Sequence, residues 1–329
     1  MTKSPYYQDD SVTLYHGKAL EVARTMPDGS VDCIVTSPPY FGLRDYGVDG
    51  QYGLEDSPAE YVENMRALFA ELRRVLVDDG TLWLNLGDSY YSGRGNPGPN
   101  SGDEKQTARR GWARAVDRPG QSWAKPKDLL GIPWSVAFAL RDDGWFLRNA
   151  NVWNKPNAMP ESVNDRLASR YEHVFMLSKS RRYWFDLDPI REPHLEVSQK
   201  RAAPHRAAPG KSARLGLGYP GGVKPQTARL DQSLHPKGRN PGDVWSIPTV
   251  PFAESHFAVY PPAIPARCIQ AGCKPGGTVL DPCSGSGTTG MVAQQLGRKY
   301  VGIELKREYL DLSLRTRLRA APINFEAGA

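Results

Sequence analysis

The chain has 329 residues, of which 40% are hydrophobic, and its 42 Lys and Arg outnumber its 36 Asp and Glu. This length accommodates one large α/β domain, or a catalytic domain with a smaller appendage. The formal net charge of +6 favours a polyanionic partner such as nucleic acid, although a charge of this size is also common for solubility alone.

Cysteine usage and the lack of long apolar runs suggest the compartment. The four cysteines include no C-x-x-C pair and histidine is sparse, so we expect reduced thiols and no metal site. The polar N-terminus carries no signal sequence, and no run approaches the roughly 20 apolar residues that cross a bilayer. These features predict a soluble, cytoplasmic protein without membrane association.

Hydrophobic periodicity predicts alternating strands and helices along the chain. In the first half, the predicted strands cover residues 12–15, 31–36 and 81–86, and the predicted helices cover 19–26 and 58–77. The second of these helices is expected to end at the turn Asp78-Asp79-Gly80. In the second half, the predicted helices cover 132–140, 262–271 and 288–296, and the predicted strands cover 146–153, 173–178, 278–280 and 300–303.

Strands that alternate with helices indicate a parallel sheet with helices on its faces, so we predict a doubly wound, mainly parallel α/β sheet. Residues 92–127 and 192–240 interrupt this pattern, because they are rich in basic residues, Gly and Pro and have no hydrophobic period. Loops of this length inside a compact domain are usually functional or disordered.

A glycine-rich turn follows the strand over 278–280, where residues 279–289 have the sequence VLDPCSGSGTT. Gly285 and Gly287 would let the backbone approach a ligand at a helix N-terminus, although a tight turn also needs glycine for steric reasons. Glu304 ends the next strand, where an acidic side chain can hold two ribose hydroxyls. The spacing is not G-x-G-x-x-G and no Lys follows the glycines, so a nucleoside without a pyrophosphate fits best.

The tetrapeptide Ser37-Pro38-Pro39-Tyr40 directly follows the buried strand over 31–36. Two prolines make a rigid loop that presents its carbonyls outward. Methyl transfer to an exocyclic amine needs such acceptors, because the lone pair of the amine is delocalised into the ring. Ser37 and the Pro38 carbonyl could hold both N–H groups, and Tyr40 could stack on a base that has left the duplex. Taken alone, the prolines serve equally well as a strand terminator.

Together the two motifs resemble those of the β group of amino-methyltransferases, the bacterial and phage enzymes that make N4-methylcytosine or N6-methyladenine. The resemblance covers most of the chain and includes the permuted order, since Tyr40 precedes Asp281. It implies a Rossmann-like methyltransferase fold and S-adenosyl-L-methionine as cofactor. The residues that it implies for cofactor binding are Asp281, Pro282, Ser284, Gly285, Gly287, Thr288, Thr289, Glu304, His256 and Tyr260. Those that it implies for catalysis are Ser37, Pro38, Pro39 and Tyr40.

The resemblance also divides the chain. It implies a catalytic part over residues 1–189 with a mobile basic loop at 92–127, a target-recognition insertion over 190–242, and a cofactor-binding part over 243–329. A solvated linker remains the alternative for the insertion. The hairpin around residues 145–157 would lie beside the target base. The predicted DNA contacts are Trp153, Lys155, Arg109, Arg110, Arg201 and Arg206.

Two positions depart from the family pattern. Cys283 stands where the family usually has Phe, which removes an aromatic wall against the cofactor. Lys18 stands where Asp is common, and lysine cannot accept a hydrogen bond from adenine. Methylation at a ring carbon is disfavoured, because Pro282-Cys283 lies in the cofactor turn and not beside the base.

The predicted function is site-specific methylation of double-stranded DNA at the N4 amine of cytosine, by direct transfer without a covalent enzyme intermediate. Within the resemblance, Ser at the first motif position favours cytosine N4, whereas Asp favours adenine N6. The alternatives are N6-adenine methylation, a catalytically inactive DNA-binding module and an RNA methyltransferase. The resemblance further suggests a cognate restriction endonuclease and a homodimer as partners.

Overall fold

The computed structural model describes residues 3–94, 115–202, 234–250 and 259–318. The chain forms two compact units, one made of residues 1–185 and 243–329 and the other of residues 186–242. The first unit contains the sheet and both sequence motifs. Among the described residues, no helix has the length and apolar character needed to span a bilayer.

The first unit is built on a nine-stranded sheet. Its strands are β1 (Tyr7–Gln8), β2 (Val12–His16), β3 (Val31–Thr36), β4 (Leu76–Leu86), β5 (Phe146–Asn154), β6 (Tyr171–Ser178), β7 (Val244–Ser246), β8 (Thr278–Asp281) and β9 (Lys299–Glu304). Their order is β1-β2-β9-β8-β3-β4-β6-β5-β7. The five central strands from β2 to β4 are parallel, as are β5 and β7, whereas β1 and β6 pair antiparallel with their neighbours.

The described helices of the first unit connect these strands and cover both faces of the sheet. They are α1 (Ala19–Ala23), α2 (Pro58–Val75), α3 (Ile132–Asp142), α5 (Ala263–Gly272), α6 (Thr288–Gln295) and α7 (Arg307–Ser313), which a π-helical turn over Leu314–Leu318 continues. Helix α4 (Glu196–Ala202) belongs to the second unit. Short 3₁₀ turns cover Ala115–Asp117 and Asp188–Ile190. One core contains α1, α2 and α3 with Ile34 of β3, while Thr81 of β4 donates a hydrogen bond to Gly272 of α5. The predicted doubly wound, mainly parallel sheet is therefore confirmed.

Helix α2 shows how the sequence specifies these elements. The Ser57 side chain caps the helix by accepting from the Glu60 amide at 3.2 Å, and Pro58 occupies the first turn. The buried face then recurs at helical spacing through Tyr61, Met65, Leu68, Phe69, Leu72 and Val75.

The expected turn at residues 78–80 is wrong, because β4 begins at Leu76 directly after α2. Val31 of β3 pairs with Leu76 but Cys33 pairs with Thr81, so the intervening residues form a bulge inside the strand. A Cβ on Gly80 would lie 2.6 Å from the Leu76 side chain, which explains the glycine there. Helix α1 also ends earlier than expected, and the sequence did not predict β1, β7, α7 or helix α4, which lies in the stretch 192–240 that was expected to be a loop.

The carboxyl ends of the parallel strands position the two motifs. Strand β3 ends at Thr36 and leads into Ser37, while β8 ends at Asp281 and β9 at Glu304. Strands β3 and β8 are neighbours in the sheet. After β3 the chain continues to β4, towards one edge of the sheet, and after β8 it continues to β9, towards the other edge. Such a switch point opens a crevice at the carboxyl edge, where doubly wound proteins bind ligands.

The second unit covers residues 186–242, and the assignment of 190–242 to target recognition stays a prediction. Glu192 and Arg239 form an isolated antiparallel bridge, and their side chains pair at 2.6 Å. Asp188 accepts hydrogen bonds from Arg191 at 2.8 Å and from Lys237 at 2.9 Å. These two cations lower the pKa of Asp188 to about 2.

We predict that Leu72→Ala lowers the free energy of unfolding by about 2 to 5 kcal/mol, because Leu72 is completely buried in the α2 core. Urea denaturation followed by circular dichroism would measure the loss. Leu167→Ala is the matched control, because this side chain is 91% exposed and should change stability by less than about 0.5 kcal/mol. Equal effects of the two changes would contradict the assigned core.

Candidate active site

Two neighbouring cavities lie at the carboxyl edge of the sheet. The first, which we call the glycine-turn cavity, is lined by Pro282, Cys283 and Gly285 and measures about 110 Å³. The second, the proline-loop cavity, is lined by residues 37–40 and measures about 240 Å³. Ser37, Pro39 and Tyr46 line both cavities, so ligands in the two would meet at these residues.

Asp281 connects the glycine turn to the proline loop. Its buried carboxylate accepts from the Thr36 hydroxyl at 2.7 Å, the Cys283 amide at 3.0 Å and the Thr289 hydroxyl at 2.7 Å. Burial raises the pKa of Asp281 to about 6. Thr36 immediately precedes Ser37, so this carboxylate fixes the distance between the two motifs.

Several other predicted cofactor residues are bonded into the turn itself. Ser284 accepts from the Tyr300 hydroxyl at 2.8 Å. Arg317 donates to the hydroxyls of Ser286, at 3.0 Å, and Thr288. Gly287 has φ +78, and a Cβ there would lie 2.9 Å from Ser313. These residues shape the turn, whereas Pro282, Gly285 and Glu304 line the cavity.

Glu304 presents a carboxylate to the glycine-turn cavity. One oxygen accepts from the Gly285 amide and the other from the Lys306 amide, each at 2.8 Å. A carboxylate oxygen has two lone pairs, so each can still accept from a ligand hydroxyl. Burial raises the pKa of Glu304 to about 7, because the charged form loses hydration.

Three tyrosines that sequence reasoning missed also line this cavity, namely Tyr46, Tyr52 and Tyr309. The rings of Tyr46 and Tyr309 meet edge to face with centroids 6.4 Å apart. They supply the aromatic walls that Cys283 cannot provide. The only sequence signal was the unusual density of Gly and Tyr in residues 42–53, a segment closed by a hydrogen bond from the Gly42 amide to the Gly53 carbonyl.

The residues of the glycine-turn cavity fit S-adenosylmethionine. Glu304 suits ribose hydroxyls, and the tyrosine rings suit a purine. Gly285 has φ +51 and leaves the turn without a side chain against the ligand. Lys18 lines the cavity where the family commonly has Asp, so its ammonium replaces an acceptor.

Hydrogen bonds from neighbouring side chains hold the backbone of the proline loop. The Tyr61 hydroxyl donates to the Pro39 carbonyl at 2.9 Å, and Ser89 donates to the Phe41 carbonyl at 2.8 Å. The expectation that both prolines present their carbonyls outward is therefore wrong for Pro39, because a buried tyrosine occupies that oxygen. A Cβ on Gly53 would lie 2.7 Å from the Tyr40 carbonyl oxygen, so the proline loop can pack this closely only against a glycine.

Tyr40 belongs to a hydrogen-bonded network of residues that line the proline-loop cavity. Its hydroxyl accepts from Ser37 at 3.2 Å and lies 2.7 Å from Glu172 Oε2 and 3.2 Å from Asn85 Oδ1. Asn85 Nδ2 donates to the same Glu172 oxygen at 3.1 Å, and Lys155 forms a salt bridge with the other. Burial, followed by the charge of Glu172, raises the pKa of Tyr40 well above its usual range.

Trp153 and Lys155, predicted as DNA contacts, both line the proline-loop cavity. Trp153 is only 3% exposed and donates through Nε1 to the Ile247 carbonyl at 2.8 Å. Lys155 Nζ lies 4.3 Å from the centroid of the Trp153 ring. Tyr260 also lines this cavity, and its hydroxyl is bonded to Thr289. These side chains are therefore placed to contact a ligand inside the cavity.

Some predicted residues lie outside the described part of the chain. These are Arg109, Arg110, Arg206 and His256, together with the side chain of Arg201. Their assigned contacts remain predictions.

A doubly wound sheet with a nucleoside cavity beside a second, polar cavity is the arrangement of a methyltransferase that uses S-adenosylmethionine. The N6/N4 methyltransferase family model, described as DNA methylase, matches residues 31–315. The chain therefore belongs to this DNA methylase family, and its methyl donor is S-adenosyl-L-methionine.

Similar proteins are found by sequence and by structure. The chain is 47% identical over 305 residues to the Type II methyltransferase M.Cfr9I of Citrobacter freundii, covering 93% of this chain and 87% of the relative. The PvuII DNA methyltransferase (cytosine-N4-specific) superposes with a TM-score of 0.61 at 19% identity, covering 94% of this chain and 88% of the other. A Thermus thermophilus protein complexed with S-adenosyl-L-methionine superposes with a TM-score of 0.52 at 21% identity, covering 92% and 91%. At these identities the two solved structures support the fold alone.

We predict that the affinity for S-adenosylmethionine rises by about tenfold between pH 6 and pH 8, as Glu304 ionises with a pKa of about 7. The ionised carboxylate accepts from ribose hydroxyls more strongly than the protonated acid does. Isothermal titration calorimetry across this range would measure the change.

Glu304→Gln is the matched control, because it keeps the side-chain shape but cannot ionise. It should weaken binding by about tenfold at pH 8 and respond less to pH than the wild type. A variant with the wild-type pH dependence would show that another group controls binding.

Proposed function

We propose that this DNA methyltransferase methylates the N4 amine of cytosine in double-stranded DNA. The observation that carries the proposal is the position of Ser37, which borders both the glycine-turn cavity and the proline-loop cavity. When bound, S-adenosylmethionine supplies an activated methyl group on its sulfonium. Ser37 lies where that group and a target amine would come together, so proximity contributes directly to the rate.

Ser37 and the Pro38 carbonyl accept the two N–H groups of the amine. Ser37 directs its own proton to Tyr40 at 3.2 Å, which leaves its oxygen lone pairs free to accept. Two acceptors on one amine hold its hydrogens out of the ring plane and so localise the lone pair on nitrogen. The rigid Pro38-Pro39 pair keeps both acceptors in place before the substrate arrives.

The charge of Lys155 favours cytosine over adenine. On its Watson–Crick edge, cytosine presents the acceptors N3 and O2 next to its amine, whereas the same edge of adenine presents N1 and a C–H group and its other acceptor, N7, lies on the opposite side of the amine. The Lys155 ammonium lines the same cavity as Ser37 and has donors beyond the one paired with Glu172. Adenine N6 remains the second candidate, because the acceptors of the proline loop suit either amine.

Access to this cavity requires the target base to leave the duplex. Tyr40 and Trp153 supply aromatic surface in the cavity that can contact the flipped base. Within the second unit, Arg191, Lys237 and Arg239 belong to a basic segment that we assign to target recognition, with Arg201 and Arg206 as phosphate contacts. The similarity to Type II methyltransferases further suggests a cognate restriction endonuclease, and we retain a homodimer as the expected assembly.

Nucleoside analysis of DNA from cells that express the chain is expected to reveal N4-methylcytosine, because the Watson–Crick edge of cytosine offers the Lys155 ammonium two acceptors and that edge of adenine offers one. Motif-resolved modification sequencing of the same DNA would locate the site. Detection of N6-methyladenine alone would overturn the assignment to cytosine. Parallel incubation with RNA tests the remaining substrate class, and methylation of RNA but not DNA would overturn both.

Ser37→Ala is expected to slow methylation by about 10²-fold or more, because it removes an acceptor from the reacting amine. Tyr40→Ala is expected to weaken binding of the target base by about 1 to 3 kcal/mol through lost stacking. A tritiated-methyl transfer assay on DNA measures both effects.

Ser30→Ala is the control, because this exposed residue precedes the opposite end of β3 and its hydroxyl donates locally, to the Pro27 carbonyl. It should retain wild-type activity. If Ser37→Ala and Tyr40→Ala also methylate DNA as well as the wild type, the catalytic assignment fails. Binding of DNA without turnover by the wild type would instead indicate an inactive module.

A further inference from the structure

We propose that Glu172 is the final acceptor of the proton that leaves the target amine, and that Ser37 and Tyr40 pass the proton to it. This inference rests on the proposed methylation of an exocyclic amine. It assigns a role to a residue of β6 that lies outside both sequence motifs.

Methyl transfer leaves one proton too many on the amine nitrogen. The nitrogen forms a bond to the methyl carbon, and the electron pair of the carbon–sulfur bond goes to sulfur. If no proton left, the nitrogen would carry the methyl group, two hydrogens and a positive charge. Loss of one proton as the methyl group arrives avoids that charge and keeps the nitrogen conjugated with the ring, so a base that is reachable from the amine controls the rate of transfer.

Ser37 cannot be that base by itself. A serine hydroxyl already holds one proton, so it can accept another only by passing its own proton on. The structure provides the next acceptor, because Ser37 Oγ donates to the Tyr40 hydroxyl at 3.2 Å.

Tyr40 continues the relay towards Glu172. The phenol has a single proton and two acceptors within reach, at 2.7 Å for Glu172 Oε2 and 3.2 Å for Asn85 Oδ1. The carboxylate is closer and charged, so it makes the stronger hydrogen bond. The raised pKa of Tyr40 keeps the phenol protonated at rest, which suits a relay and not a base.

Neighbouring side chains fix the position of the Glu172 carboxylate. Its Oε2 also accepts from Asn85 at 3.1 Å, and its Oε1 pairs with Lys155. The side chains of Glu172 and Lys155 are 14% and 20% exposed, so the pair reaches solvent at one end. Other charged or titratable side chains that line this cavity are Arg44, Tyr46 and Tyr260.

Every proton is accounted for in this relay. The N–H bond breaks as an O–H bond forms on Ser37, whose original proton moves to Tyr40, whose proton in turn moves to Glu172 Oε2. Ser37 and Tyr40 end as neutral hydroxyls, and Glu172 ends as a neutral acid beside the Lys155 ammonium. Release of that proton to water restores the salt bridge for the next turnover.

Single-turnover methylation tests the relay with two conservative changes. Glu172→Gln keeps the side-chain shape without the base, and Tyr40→Phe keeps the ring without the hydroxyl. Each should slow methyl transfer by about 10²-fold and make the rate rise with pH, because solution hydroxide must then take the proton. S-adenosylmethionine affinity should remain within about twofold of the wild type.

Chemical rescue separates proton acceptance from a structural role. Glu172→Ala removes the carboxylate and leaves space, so added formate should raise its rate but not that of the wild type or Glu172→Gln. Glu71→Gln is the control, because it breaks an ion pair of α2 with Arg74 that lies at 3.0 Å, and it should keep the wild-type rate.

Wild-type rates and pH dependence in Glu172→Gln, or a lack of formate rescue in Glu172→Ala, would overturn the relay. The identity of the methylated base is read from the same reactions. A product of N6-methyladenine would change the proposed substrate, while the ratio of variant to wild-type rates would still decide the role of Glu172.

Discussion

The site depends on the buried carboxylate of Asp281. Its hydrogen bonds to Thr36, Cys283 and Thr289 tie the end of β3 to the glycine turn and to the first turn of α6. Thr36 and Asp281 are 245 residues apart in the chain, so this one group joins the two motifs of the permuted sequence. An unpaired buried charge would be costly, and the three donors offset that cost. The distance between the glycine turn and Ser37 is thus set inside the protein.

Burial of carboxylates links this site to pH. The pKa values of Asp281 and Glu304 are raised to about 6 and about 7, so the folded protein binds protons more tightly than the unfolded chain. The stability from their protonated forms is present below their ordinary values, near pH 4, and is lost as pH rises through about 6 to 7. At neutral pH the two buried carboxylates therefore carry negative charge at a cost in stability. A ligand that donates hydrogen bonds to ionised Glu304 stabilises that form, so binding and stability are coupled.

The sequence specified the sheet, both motifs and their order, because buried strands and α2 have strong periodic signals. It did not reveal the aromatic walls, since the segment over residues 42–53 has no periodicity and acquires its role only by folding over the glycine turn. It also placed a turn at residues 78–80, where pairing of β4 with β3 accommodates the same residues in a bulge. The sequence also did not predict that Glu172 contacts Tyr40. The two residues are 132 positions apart, and they meet only in the folded protein.

That contact bears on why a serine can serve at position 37. Within the family pattern, an aspartate at this position would place a carboxylate directly beside the amine. Serine offers an acceptor but no base, so the base must come from elsewhere in the fold. Tyr40 spans the gap, since its ring lies against Gly87, where a Cβ would be only 2.6 Å away, and its hydroxyl reaches Glu172. In the proposed relay, Ser37 and Tyr40 therefore do not suffice by themselves, because the proton that they pass on needs the carboxylate that β6 carries at the same edge of the sheet.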